Sequence, residues 1–322
     1  MSASLLADVG GTNVRFAVTG ADGAAPGESV SWPCARFAGL AEAVRAYLAV
    51  MGQSGQTLRR AAFAVAAPTD AEPIRLTNSG WTLDRRELQR EFGFEQLFVA
   101  NDYAALARAL PTLSAADLKL LGDVAPPLPR LAMAVLGPGT GLGVAGLVPA
   151  ASGWSVVAGE GGHATLAAAD DYEAAVIAAA RRQFPHVSAE RLLSGTGLPF
   201  LWRAVAAVDG VTPAEALAPE VITRLGVAGS DAQCRRTVDL FFALLGSFAG
   251  NVALTFGARG GVFISGGIVP QLADFAERSA FRQRFQAKGR FEDYLRAIPT
   301  AVIVAQGVAL RGLAHLLAEA PS

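Results

Sequence analysis

Cysteine is almost missing: Cys34 and Cys234 are the only two in 322 residues. Two thiols so far apart cannot build a disulfide framework or a Cys-rich zinc site, and they fit a reducing compartment. An excess of either charge is missing too. Lys and Arg total 27 against 28 Asp and Glu, a net charge of −1, so no broad face attracts nucleic acid or an anionic membrane. No Lys or Arg precedes Arg15, so there is no basic n-region of a signal peptide and a cytoplasmic location is expected. The Walker pattern G-x-x-x-x-G-K-[ST] does not occur, which excludes a P-loop and leaves any phosphate to backbone N–H groups. The zinc-protease pattern H-E-x-x-H is absent as well.

Uncharged runs long enough to matter are few. Residues 131–159 carry no charge, but Gly137, Pro138, Gly139, Gly141, Gly143, Gly146 and Pro149 make this turn chemistry rather than a spanning helix. Residues 240–258 are long enough to cross a bilayer. Ser247, Asn251 and three glycines lower that segment's hydrophobicity, and a helix buried in a large domain is the expectation. With 52% hydrophobic and 17% charged residues, the chain can bury a large core, and its length suggests two domains.

What is present begins with "LLADVGGTNVRFAV", two apolar strands around a Gly-Thr turn. The pattern restarts in "LAMAVLGPGTGLGVAGLV" after a polar, Pro-rich stretch at 110–130 that reads as a boundary. Placing Gly139-Thr140-Gly141 over Gly11-Thr12-Asn13 aligns the two copies and suggests two similar half-structures, each opening with a hairpin. Only the first copy has a carboxylate: Asp8 falls opposite Leu136. "GLGVAG" matches G-x-G-x-x-G, but a second strand follows it instead of a helix, so the dinucleotide-binding fold is rejected.

Glycine turns let successive N–H groups converge on an anion; a plain hairpin tip is the structural alternative. Two matching turns favour a phosphate clamp, with Asp8 facing a Mg²⁺ ion held through water and phosphate oxygens. A third pair, Gly266 and Gly267 in "SGGIVP", follows a strand and precedes a helix. It either admits a flat ligand close to the backbone or simply compacts the connection.

Acid–base candidates cluster in three places. "VAND" puts Asn101 and Asp102 where a strand ends and a helix begins, and the structural alternative is that one of them is simply the helix cap. "GEGGH" places Glu160 and His163 in a glycine loop that ends the long uncharged segment. Glu190 in "HVSAERLLSG" either meets a ligand or complements a helix dipole. Asn78 and Trp81 in "LTNSGW" form a polar–aromatic corner suited to a sugar face, or an ordinary turn with a half-buried ring. His186 and His315 have no comparable context, and His315 is expected to be structural.

"DVGGTNVRFAV", "AAP", "LTNSGW", "FVANDYAA", "LGPGTGLGVA", "GEGGHATLA", "HVSAERLLSGTGL", "GGVFISGGIVP" and "KGRFEDYLRAIPTAVIV" occur in an order and spacing that resembles the bacterial-type glucokinases over nearly the whole chain. "GEGGH" with "HVSAERLLSGTGL" is the specific part. The missing cysteine cluster argues for the branch outside the ROK kinases. Where family members commonly carry Gly-Asp after the Pro of "AAP", this chain has Thr69-Asp70-Ala71-Glu72 after Pro68, which alters a loop near Asn78.

The resemblance implies an α/β, two-domain actin/hexokinase-like (ribonuclease H-like) fold with a central ligand cleft. Residues 1–110 with 301–322 would form the smaller α/β domain and 111–300 the larger α+β domain, the C-terminal strand and helix returning to the first. It implies ATP–Mg²⁺ against Asp8, Gly10, Gly11, Thr12, Gly139, Thr140, Gly141, Gly266 and Gly267. Glucose would be held by Asn101, Asp102, Glu160, His163 and Glu190, with Asp102 as base for the 6-hydroxyl in the first step of glycolysis. A homodimer is implied. A kinase for another hexose such as mannose, and a catalytically silent sugar sensor, stay open as alternatives.

Overall fold

Leu5, Leu6, Ala7 and Val9 are fully buried because the strand they form, β1 (Ser4–Val9), is covered on both faces. In the computed structural model, which describes residues 3–19, 26–52, 58–76, 80–128, 130–212 and 215–320, β1 is the middle of a five-stranded sheet. Its partners are β2 (Asn13–Val18), β3 (Val30–Pro33), β4 (Arg60–Val65) and β7 (Gln96–Asn101), in the order β3-β2-β1-β4-β7. β1 to β3 pair antiparallel, while β1, β4 and β7 run parallel. β5 (Ile74–Arg75) and β6 (Thr82–Leu83) make a separate two-stranded ribbon.

Side chains alternate between the two layers, as a doubly covered strand requires. Leu5, Val9, Phe16 and Phe63 pack with the Leu40–Val50 helix, where Tyr47 stacks on Phe16 at 5.0 Å. Leu6, Ala17, Ala62 and Ala64 face the Asp102–Ala109 and Val308–Glu319 helices. Those two helices cross so closely that a Cβ at Gly312 would lie 1.8 Å from the Ala105 carbonyl oxygen. This compact unit comprises Met1–Leu113 and Ala305–Ser322.

The second unit, Ser114–Val304, repeats the plan. Its sheet contains β8 (Leu118–Leu120), β9 (Met133–Pro138), β10 (Leu142–Ala150), β11 (Gly153–Gly159), β12 (Gly261–Ile264) and β13 (Thr300–Ile303), ordered β11-β10-β9-β12-β13-β8. The first five have the same sequence of antiparallel and parallel pairings as the sheet of the first unit, and β8 adds an antiparallel edge. The two opening hairpins differ by one residue. Val9 pairs with Val14 across the first turn and Pro138 with Leu142 across the second.

One expectation is corrected here. The strand at 300–303 does not return to the first unit: it is buried and hydrogen-bonded on both edges, between β12 and β8, and only the C-terminal helix returns. The Pro-rich stretch at 110–130 contains the division between the two units, after Leu113, and also supplies β8.

The long apolar helix, Ala232–Phe256, has the length and composition of a membrane span, yet Phe241, Leu244, Leu245 and Phe248 belong to the core of the second unit. Gly246 and Gly250 lie one turn apart and admit the backbone of the Phe281–Gln286 helix. A Cβ on them would lie 2.2 Å from Phe281 O and 2.4 Å from Phe285 O.

Asp170 caps the Asp171–Ala180 helix, accepting the Glu173 N–H at 2.8 Å. Arg284 bridges Asp170 at 3.2 Å and also pairs with the buried Glu173. The Glu173 N–H first, and then Arg284, hold the Asp170 carboxyl below the usual carboxylate range. Asp170→Ala is expected to cost about 1 kcal/mol at neutral pH. A depressed carboxyl contributes above its unfolded pKa and ceases to as pH falls through the folded one, so the deficit in urea unfolding should close below about pH 4.

Candidate active site

In the first unit the register Val9↔Val65↔Asn101 aligns the ends of the parallel strands. Asp8, Asn101 and Asp102 therefore stand at the carboxyl end of one sheet, where α/β proteins bind ligands. Asn101 is the helix cap: its Oδ1 accepts the N–H groups of Tyr103 at 2.9 Å and Ala104 at 3.2 Å. Asp102 is the first helical residue, and its Oδ1 accepts the Tyr103 N–H at 2.9 Å. The two side chains share the Tyr103 N–H, and Asn101 alone also takes that of Ala104.

Asp8 lies opposite Arg15 on β2. Burial pushes its carboxyl above the usual range, and the Arg15 charge offsets part of that. A cation beside Asp8 would remove the cost of burying its charge. One carboxylate at the foot of an open glycine turn is a donor set that fits Mg²⁺, which commonly keeps most of its waters. The turn itself is short: Gly10 N–H donates to Asn13 O at 2.9 Å, and Thr12 is exposed. Cys34 braces it from below, its N–H on Thr12 O at 2.8 Å and its Sγ 3.5 Å from Gly10 O. Gly11 sits between these anchored residues.

Sequence reasoning missed Tyr103. Its phenol is held above its usual pKa by burial and by the negative charges of Asp102 and Asp8, so it belongs to the same polar cluster. Nothing in the local sequence marks the second residue of a helix as part of such a cluster.

In the second unit the two glycine turns abut. Gly266 has φ +92°, and a Cβ there would lie 2.2 Å from Pro138 O; one on Gly139 would lie 3.8 Å from Gly267 N. Ile268 N–H donates to Pro138 O at 3.2 Å. Thr140 is exposed at the tip. Glu160, His163 and Glu190 come together beside this turn. His163 Nε2 lies 4.0 Å from Glu160 Oε2, and its Nδ1 lies 3.9 Å from Glu190 Oε1. These distances are too long for hydrogen bonds, so the three groups keep bonding capacity for a polyhydroxylated ligand.

The last glycine of "GEGGH" is required because the turn presses on β10: a Cβ at Gly162 would lie 1.9 Å from Leu142 O. Glu190 lies in the first turn of the short Ala189–Leu192 helix, but its Oε2 accepts the Leu142 N–H at 2.8 Å. Gly141 is glycine for that reason, since a Cβ would lie 2.4 Å from the same oxygen. Trp81 is buried in the core of the first unit. Asn78 lies outside the described residues. His186 is exposed, its Nε2 3.0 Å from Thr165 Oγ1, and His315 is exposed on the last helix.

A duplicated sheet of this order, with carboxylates at strand ends and paired glycine turns, is the plan of the actin/hexokinase-like class, to which sugar kinases belong. The sequence pattern of the family described as Glucokinase matches residues 5–320. The chain is 46% identical over 315 residues to a glucokinase of Chromobacterium violaceum, covering 98% of this chain and 89% of that one. It is 47% identical over 316 residues to a glucokinase of Paramagnetospirillum magneticum, covering 98% and 97%. The crystal structure of a glucokinase from an Antarctic psychrotroph superposes with a TM-score of 0.87 at 37% identity, covering 99% of this chain and all of that one. The chain belongs to the glucokinase family.

Gly141→Ala is expected to displace the Glu190 carboxylate while leaving the fold intact, because the atom in the way ends a flexible side chain. Amide exchange at Leu142 should accelerate at least about fivefold, the loss of one charge-assisted hydrogen bond, with Tm nearly unchanged. An unaltered Leu142 rate would show that Glu190 does not hold this amide.

Proposed function

We infer that this chain is an ATP-dependent hexose kinase that transfers the γ-phosphoryl group of ATP to the 6-hydroxyl of glucose, giving glucose 6-phosphate and ADP. The observation that carries this inference is Asp102. It stands at the carboxyl end of a parallel strand, next to a residue already committed to capping the helix, in a chain nearly half identical to glucokinases.

In this mechanism Asp102 accepts the proton of the 6-hydroxyl as that oxygen forms its bond to the γ-phosphorus and the bond to the β-phosphate oxygen breaks. Asn101 can donate from its amide nitrogen, since its Oδ1 is occupied by the cap. Glu160, His163 and Glu190 hold further sugar hydroxyls by charge-assisted hydrogen bonds. The backbone N–H groups of Gly11 and Thr12, and of Thr140, Gly141, Gly266 and Gly267, would donate to phosphate, while Gly10 and Gly139, whose N–H groups bond to Asn13 O and Gly141 O within their own turns, shape the two loops. Asp8 would hold Mg²⁺, which would supply charge neutralisation for the triphosphate. Phosphoryl transfer is largely positioning and neutralisation, which matches a set of residues with one base and many fixed donors.

An ADP-release assay with Mg-ATP and glucose, mannose, fructose and N-acetylglucosamine tests the assignment. Glucose should give by far the highest kcat/KM. Asp102→Asn should lower kcat at least ~100-fold and keep glucose binding within about tenfold. Near-normal turnover in that variant would refute the role of Asp102, and another preferred sugar would refute the pocket assignment.

A further inference from the structure

The turn that joins β9 to β10 is held along one side by a single segment, residues 190–196. Gly195 N–H donates to Gly139 O at 2.7 Å. Thr196 Oγ1 donates to Thr140 O at 3.0 Å. Ser194 Oγ donates to Glu190 O at 2.8 Å and lies 3.2 Å from Thr196 Oγ1. It also accepts the Gly197 N–H at 2.9 Å. Glu190 Oε2 completes the set on Leu142 N–H.

A trans peptide group is planar, with its C=O and N–H pointing in opposite directions. Fixing the carbonyls of Gly139 and Thr140 toward the 194–196 loop therefore aims the N–H groups of Thr140 and Gly141 away from it. Neither N–H donates to another group among the described residues. Without these bonds the peptide joining residues 140 and 141 is free to rotate, and a carbonyl oxygen can take the place of the N–H, which would repel phosphate instead of binding it.

We propose that Thr196, backed by Ser194, is a positioning residue that sets the orientation of the 140–141 peptide for the nucleotide and ties it to the sugar-binding Glu190. This rests on the roles given above to Glu190 and to the 139–141 turn. Glu190 Oε2 on the Leu142 N–H and Thr196 Oγ1 on the Thr140 carbonyl grip the turn from one short segment, so the sugar carboxylate and the phosphate turn form one hydrogen-bonded body. Hexose held on Glu190 stiffens the turn before nucleotide arrives. Thr196 is exposed and Ser194 fully buried, so Thr196 is the position where a hydroxyl can be removed without disturbing the core.

The test compares wild type, Thr196→Val and Thr196→Ser. Thr196→Val removes the hydroxyl at nearly constant volume; Thr196→Ser retains it. On the unliganded protein, amide exchange at Gly195 and Leu142 should be at least about fivefold faster in Thr196→Val and close to wild type in Thr196→Ser. Glucose should slow exchange at Leu142 in wild type, and much less in Thr196→Val. In steady state Thr196→Val should raise KM for ATP by about fivefold to tenfold, with KM for glucose within about twofold and Tm nearly unchanged, and Thr196→Ser should rescue it.

Equal exchange rates in wild type and Thr196→Val would overturn the proposal. So would an equal rise in both KM values, or a fall in Tm without the KM split, because each marks general loosening. If exchange changes as expected but no hexose is phosphorylated, the kinase reading fails and the orientation of the turn by Thr196 stands.

Discussion

A strand buried on both faces has no room for polar side chains except at its ends, and that constraint organises both halves of this protein. Within β1 the apolar residues alternate between two helical layers, leaving Asp8 at the last turn of the strand where the covering thins. The same rule places Asn101 at the end of β7, and parallel pairing brings these ends into line. Chemistry gathers at one edge of the sheet because the rest of the sheet excludes it. Burying even this much charge costs stability, which the raised pKa of Asp8 registers.

Much of this arrangement was legible in the chain itself. The two hairpins announced themselves by period-two apolar runs around matching Gly-Thr turns, because local alternation and turn chemistry suffice to specify a hairpin. The polar residues at strand ends stood out against an uncharged background. Other features depend on partners distant in sequence. The strand at 300–303 reads identically whether it joins one sheet or the other; only pairing with Gly261–Ile264 and Leu118–Leu120 decides. Asn101 and Asp102 are both good caps, and nothing local says which one takes the helix. Tyr103 carries no local mark, because helical periodicity does not register a hydroxyl near two carboxylates.

Several glycines serve atoms that belong to other residues. Gly141 makes space for Glu190, Gly162 for the Leu142 carbonyl, Gly266 for Pro138, and Gly246 and Gly250 for a neighbouring helix backbone. A sequence motif marks such positions without naming the occupant. "GTG" reads as a phosphate turn, yet the last of its glycines is required by the carboxylate packed on its α-carbon. One short segment therefore meets two demands, and its composition cannot be assigned to either alone.

The chain leaves the first unit after Leu113 and re-enters it at Ala305, with a consequence for the order of synthesis. The helix Val308–Glu319 covers Leu6, Ala62 and Ala64 and ties down with Arg60 on the Leu317 carbonyl at 2.7 Å. On the ribosome that face is covered by the Asp102–Ala109 helix alone until the segment from Ala305 emerges, after the whole of the second unit has been made. The half of the protein that is begun first is completed last, a reversal of the usual N-terminal-first order of domain folding.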